Sequence, residues 1–333
     1  MKRLSFVFML GGILLGIAIV FGFGARHVLE ATLSVGWLGF AELIVAQLAI
    51  SIPLAFAWLV ILPCRTWPML PRLYWGRLVR EAGGRFLPFL PVGGFVIGAR
   101  AMTLVGLPMA LSAASTLVDV AAEFTAEVMF AALGLAILLV WQPHSDLILP
   151  VGAGIVVAAV AAAIFIALPG QGTRLVQKLA ARIGKGEGRA LGSLDSMASQ
   201  FDAIYARKAA IIGAVLLHFL AWLGSAAQSW LAYHLLGAPI TLSQALVIEA
   251  LLRAALSMTF FIPGAAGVQE AAYAGIGAIF GLPIEISVAV SLLTRARDLV
   301  IGLPALLLWQ YLEFRRLKAG GSGKLPDMGA AAS

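Results

Sequence analysis

The amino-acid sequence predicts an all-α polytopic membrane protein with six full spans and two re-entrant helical hairpins, arranged as an inverted repeat. Three observations carry that prediction. Hydrophobic residues fill 61% of the 333 positions and charged residues only 12%, with a mean hydropathy of +0.99; a globular chain is about one quarter charged. Two apolar stretches are interrupted by Pro and Gly in matching places. One runs Phe89-Leu90-Pro91-Val92-Gly93-Gly94 and reaches Gly106-Leu107-Pro108, the other runs Phe261-Ile262-Pro263-Gly264-Ala265-Ala266-Gly267 and reaches Gly281-Leu282-Pro283. Finally, Lys and Arg gather in alternate loops, as the positive-inside rule requires.

Residues 5–25, 38–62, 109–140, 147–168, 209–236 and 284–311 read as the six spans. Each has the roughly 20 apolar residues that cross the hydrocarbon core at about 1.5 Å per residue. The first follows Lys2-Arg3 like a signal peptide. Its apolar stretch is too long for that and lacks a small-residue cleavage site, so it reads as a retained helix. Gly11, Gly12 and Gly16 form a small-residue face on it, for helix contact or a homodimer.

Residues 73–106 and 241–282 are apolar but broken near their middles. Halves of about 15 residues reach about 22 Å, short of the roughly 30 Å core. They read as hairpins broken at Pro91, Gly93 and Gly94, and at Pro263, Gly264 and Gly267. Broken backbone at that depth is buried in protein or lines a wet cavity. The rival reading, two full spans per unit, leaves most loops on the same sides.

With the amino terminus inside, residues 65–85, 174–208 and the trio Arg315, Arg316 and Lys318 fall inside, while the outer loops hold Arg26, His27 and His144 beside Glu30 and Asp146. The first hairpin then opens to the cytoplasm and the second to the opposite side, about an in-plane pseudo-two-fold axis. Residues 1–318 form one domain with both termini cytoplasmic. In the 170–208 connector, Leu191, Leu194, Ala198, Phe201 and Tyr205 recur at helical spacing, predicting an amphipathic helix on the inner surface. Its Gly-rich middle, 184–192, reads equally as a solvated connector, and the polar tail 319–333 is expected to be disordered.

An ionisable side chain at membrane depth costs at least about 2.5 kcal/mol, so each needs a partner or a task. Asp119, Glu123 and Glu127 recur every fourth residue and share one helix face. Arg100 is their expected cation. Glu270 is expected to face Arg295 or Arg297, Asp298 could pair with Arg295, and Glu249 with Arg253 forms an i, i+4 pair. Two readings stay open: buried staples between hairpins and helices, or a polar cavity at the repeat interface. Trp67, Tyr74 and Trp75 among Arg65, Arg72 and Arg77 read as an interface anchor.

Enzymatic chemistry finds no support. The histidines are scattered with no H-E-x-x-H pair, no nucleophile elbow, phosphate loop or dinucleotide fingerprint occurs, and no metal or cofactor is expected. Cys64 is the single cysteine, which excludes an internal disulfide. The net charge of +7 belongs to loops and implies no nucleic-acid partner.

The run Pro263-Gly264-Ala265-Ala266-Gly267-Val268-Gln269-Glu270, followed by a helix carrying Arg295, resembles the signature of a membrane family. That family comprises the transmembrane flippase region of lysylphosphatidylglycerol synthases and stand-alone relatives, including membrane proteins associated with hopanoid biosynthesis. The resemblance covers residues 1–318. The family tends toward Pro-x-Pro-Gly-Gly-x-Gly-x-x-Glu, whereas Phe261 stands for the first proline and Ala265 for a glycine. Arg100 after Gly93-Gly94 is similar to the first-half motif. The resemblance implies translocation of a polar lipid in a bacterial inner membrane, with Arg100, Glu270 and Arg295 as the matching polar positions. A hopanoid, another polyisoprenoid or a glycerolipid would be the cargo. No lysyltransferase-like stretch follows, so aminoacyl transfer is not expected. A proton-coupled small-solute transporter is the alternative, and an intramembrane lipid-modifying enzyme the third reading.

Overall fold

The computed structural model describes residues 30, 33–63, 66–86, 90–144, 148–167, 188–238, 240–258 and 267–318. These residues form helices and no strand. In order they are α1 (Gly36–Ile61), α2 (Leu70–Phe86), α3 (Leu90–Leu104), α4 (Met109–Trp141), α5 (Ile148–Ala167), α6 (Gly188–Tyr205), α7 (Lys208–Leu235), α8 (Leu242–Met258), α9 (Val268–Ile279) and α10 (Ile284–Lys318). The predicted span 5–25 with its glycine face, the break residues Pro263 and Gly264, connector residues 170–187 and the tail 319–333 lie outside the described residues.

Helix is what an apolar chain must form in hydrocarbon, because it satisfies every backbone group within the segment. Among the described residues α1, α4 and α7 are long and apolar enough to cross a membrane. The chain is thus a multi-pass membrane protein. Helix α10 runs to Lys318, seven residues past its predicted end at 311, because Arg315, Arg316 and Lys318 suit the negative end of a helix dipole.

Close glycine contacts fix how the helices run. The missing Cβ of Gly39 would meet Leu235, that of Gly224 would meet Ile50, and that of Gly213 would meet Val60, so α1 and α7 are antiparallel. Contacts of Gly134 with Ala250 and of Glu127 with Ser257 make α4 and α8 antiparallel too. The helix pairings come in twos: α2 packs on α10 and α8 on α4; α3 packs on α4 and α9 on α10; α1 packs on α2 and α7 on α8. Exchanging α1–α4 for α7–α10 maps each contact onto the other.

The two Gly-Leu-Pro motifs form the same turn. Gly106 and Gly281 take φ of 101° and 71°, a left-handed conformation that glycine adopts without Cβ strain. The following leucine closes back five residues, Leu107 N–H to Met102 O at 3.1 Å and Leu282 N–H to Gly277 O at 3.1 Å. The proline carbonyl then opens the next helix, accepting from Ser112 and from Ser287.

Each unit contains a pair of short helices. In the first, Gly83 lies against Gly94, Arg80 against Gly98 and Gly76 against Met102, so α2 and α3 form an antiparallel hairpin. Its break differs from the prediction. Gly93 and Gly94 lie inside α3, Pro91 takes the second position of that helix, and α2 ends at Phe86. Proline is tolerated in a first turn, where its missing N–H has no partner to lose. Gly94 serves close approach instead: a Cβ there would sit 2.6 Å from Gly84 N and 2.7 Å from Arg80 O. In the second unit Gly267 does break the chain, with φ of 76° immediately before α9.

The ends of α2 and α8 stand level with the middles of longer helices. Arg85, at the end of α2, meets Asp298 near the middle of α10, and Ser257, at the end of α8, meets Glu127 near the middle of α4. The open ends of the hairpins sit in two apolar clusters. One gathers Trp58, Leu62, Leu73, Met102, Leu111 and Leu306, the other Phe40, Leu138, Tyr233, Ile248, Ile276 and Leu293. Because α1 begins in the second cluster and ends in the first, the clusters occupy opposite ends of the bundle. Phe201 and Ile204 of α6 are buried in the first cluster, so part of the apolar face predicted for a membrane surface packs against the protein.

Candidate functional site

The charged positions converge at mid-bundle because each hairpin ends there. On α2, Arg77 and Arg80 are one turn apart and face Asp119 and Glu123, one turn apart on α4. Arg77 donates to Asp119 at 3.1 Å and to Glu123 at 2.5 Å; Arg80 donates to Asp119 at 2.5 Å and also to Glu123. His218 of α7 lies 3.0 Å from the other Asp119 oxygen. Asp119 and His218 are fully buried, and Arg80 stacks on Trp58, 5.7 Å from the ring centre. The expected repulsion along the acidic face is therefore answered by two buried guanidinium groups.

Those cations are not the predicted one. Arg100 points away from the acidic stripe and binds Glu313 of α10 at 2.6 Å. The spacing of Arg100 along α3 placed it on the hairpin, but its height on that helix brings it near the open end rather than the tip. Arg77, read as an interface anchor with Trp67 and Tyr74, is 1% exposed. Arg77 and Arg80 thus belong to the bundle interior, not to the basic cytoplasmic loop in which residues 65–85 were counted. Tyr74 donates inward as well, to Leu48 O.

The second unit holds its charges much as its spacing predicts. Glu249 and Arg253 pair across one turn of α8 at 2.8 Å, and Tyr273 of α9 donates to the other Glu249 oxygen. Arg253 lies over Trp222, 4.9 Å from the ring centre. Glu270 and Arg295 form a two-pronged pair at 2.5 and 3.0 Å. Asp298 binds Arg297 and Arg85 rather than Arg295, whose guanidinium is engaged by Glu270. Arg297 also donates to Gln228 of α7. Glu127 accepts a hydroxyl from Ser257 at 2.6 Å, with no ion pair among the described residues.

Between α2 of the first unit and α8 of the second lies a cavity of about 230 Å³. Arg77, Glu81, Arg85 and Glu123 of the first unit line it together with Glu249, Arg253, Tyr273 and Arg297 of the second. Of the predicted site residues, Glu123, Glu249, Arg253 and Arg297 thus share one cavity. Asp119 stands behind it, Glu127, Asp298, Glu270 and Arg295 hold other contacts, and Arg100 lies at the bundle's end. Arg77, Arg80, Glu81, Arg85, His218, Gln228 and Tyr273 were missed. A signal for two of them was available. Arg77 and Glu81 stand 14 and 10 positions before Pro91, and Glu249 and Arg253 stand 14 and 10 positions before Pro263. The two i, i+4 pairs are repeat equivalents with opposite polarity, and both form: Arg77 binds Glu81 at 2.7 Å.

Such a cavity can solvate ions and polar groups inside an apolar bundle, and its walls offer both charge signs. A family profile described as the lysylphosphatidylglycerol synthase TM region matches residues 4–305. No curated protein and no solved structure matches the chain.

Proposed function

The chain belongs to the lysylphosphatidylglycerol synthase TM region family, a membership that suggests a lipid-related membrane function, and from it we propose that this protein is a flippase or exporter for a polar lipid. The observation that carries the proposal is the mid-bundle cavity, where Arg77, Glu123, Glu249, Arg253 and Arg297 of both units stand together. A headgroup crossing the bilayer needs polar partners at the depth where lipid offers none. The protein supplies binding and a route, with no bond made or broken and no cofactor.

The architecture we assign is six full spans and two re-entrant hairpins in an inverted repeat. Supporting it are the paired helix contacts, the antiparallel packing of the equivalent helices α1 and α7, and the meeting of the α2 and α8 ends with the middles of α10 and α4. Equivalent helices that run oppositely imply a two-fold axis across the bundle, which in a membrane lies in its plane. The positive-inside distribution supports a cytoplasmic side for both termini, and the membrane we assign is a bacterial inner one. Hopanoids, other polyisoprenoids and glycerolipids remain the candidate cargoes.

A second reading has one observation in its favour. Glu127 is held by a hydroxyl rather than a guanidinium, which suits an acid that gains and loses a proton. That would couple transport of a small solute, or of the lipid itself, to a proton gradient.

The test is headgroup translocation in proteoliposomes across a panel of labelled lipids. The wild-type protein accelerates translocation of at least one lipid, and Arg253→Gln abolishes this at equal amounts of folded protein. If both Arg253→Gln and Arg297→Gln translocate at near wild-type rates, the cavity is architecture and the path lies elsewhere.

A further inference from the structure

A second cavity, of about 320 Å³, lies at the end of the bundle where α10 finishes. The turn between α3 and α4 forms one wall, with Gly106, Pro108 and Met109, and two arginines form the other, Arg100 and Arg316. No residue lines both this cavity and the central one.

Its charge is one-sided. Arg100 is bound to Glu313 yet keeps 34% of its side chain exposed. Arg316 makes one hydrogen bond among the described residues, to the Thr103 hydroxyl at 3.3 Å. That hydroxyl donates to Arg100 O at 2.8 Å, so its lone pairs are what it offers Arg316. Arg315 and Lys318 occupy the same last turn of α10, resting over Tyr311 and Phe314. The last turn of α10 therefore carries three cations, and Arg100 shares the cavity wall with one of them, Arg316. Basic side chains laid on aromatic rings are common at a membrane–water interface. The rim beside the arginines is apolar, with Met109 half exposed.

We propose that this cavity binds the phosphate of a phosphate ester, held between Arg100 and Arg316. Guanidinium forks match phosphate oxygens in pairs and remain charged at any physiological pH. Arg316 has donors to spare beyond its one hydroxyl contact. A phospholipid headgroup is the source that also uses the apolar rim, its chains lying against the exposed Met109. The site is independent of translocation through the central cavity.

The test uses the purified full-length chain in a maltoside detergent, which carries no phosphate, and native mass spectrometry of bound ligand. Three probes are titrated: dioleoyl phosphatidylglycerol, dioleoylglycerol with the same chains and no phosphate, and glycerol 3-phosphate with no chains. Phosphatidylglycerol should bind saturably and dioleoylglycerol should not. Arg316→Gln, which breaks only the Thr103 contact, should weaken phosphatidylglycerol binding about tenfold or more, the loss expected for a charge-assisted hydrogen bond. The loss caused by Arg316→Gln should be the same in an Arg253→Gln background, which separates this site from the central cavity. Glycerol 3-phosphate binding as tightly as the lipid would overturn the lipid assignment in favour of a soluble phosphate ester. Equal binding of dioleoylglycerol, or unchanged affinity in an Arg100→Gln/Arg316→Gln double variant, would overturn the site itself.

Discussion

Replacing Arg80 by Met should destabilise the protein by about 3–5 kcal/mol, the usual cost of removing one partner from a buried ion pair. Methionine keeps the length and packing of the arginine stem, so the change falls on charge. Arg80 donates to Asp119 and Glu123, and neither it nor Asp119 is exposed by more than 3%. A pair of unit charges about 4 Å apart is worth about 4 kcal/mol at an effective dielectric of about 20. Two such attractions are lost, offset by no longer having to bury a guanidinium. The cluster of Arg77, Arg80, Glu81, Asp119 and Glu123 goes from one excess negative charge to two. Adding Asp119→Asn returns it to one, so the double variant should recover most of the loss. Equilibrium unfolding by SDS in mixed micelles, followed by tryptophan fluorescence, measures both. Arg80→Met within about 1 kcal/mol of wild type, or a double variant no more stable than the single, would refute the reasoning that charge balance holds this cluster.

Two glycines ten residues apart predict opposite results. Gly94→Ala should destabilise by about 1–3 kcal/mol, since its Cβ would collide with backbone atoms of Gly84 and Arg80. Gly84→Ala should be neutral or stabilise by up to about 1 kcal/mol, because nothing lies within 4 Å of its Cβ and alanine favours helix; thermal melts that rank the two in the other order would contradict the close approach of α2 and α3. Cysteine labelling in intact cells should place positions 70 and 108 on one side of the membrane and positions 240 and 284 together on the other. Opposite sides within either pair would rule out that hairpin.

Whatever depends on neighbours in the chain was readable from residues. Apolar runs imply helices because hydrocarbon leaves the backbone no other partner, and five of the predicted segments are helical in α1, α4, α5, α7 and α10, with α1, α4 and α7 long and apolar enough to cross a membrane. The Gly-Leu-Pro motifs announced two identical turns, since a left-handed residue and a fixed proline φ are local properties. Glu249 with Arg253 was legible as a one-turn spacing, and Glu270 with Arg295 lies across a single tight turn. The break in the first hairpin was misread because glycine serves two ends, chain bending and close packing, and only the facing helix tells them apart. Tertiary structure alone decided the long-range partners. Arg77 and Arg80 reach Asp119 and Glu123 across about forty residues of chain, and Arg100 reaches Glu313 across more than two hundred. Those pairings depend on the height at which two helices cross and the face each turns inward. Spacing along one helix fixes which charges stand on the same side of it, but it carries no measure of where a second helix begins.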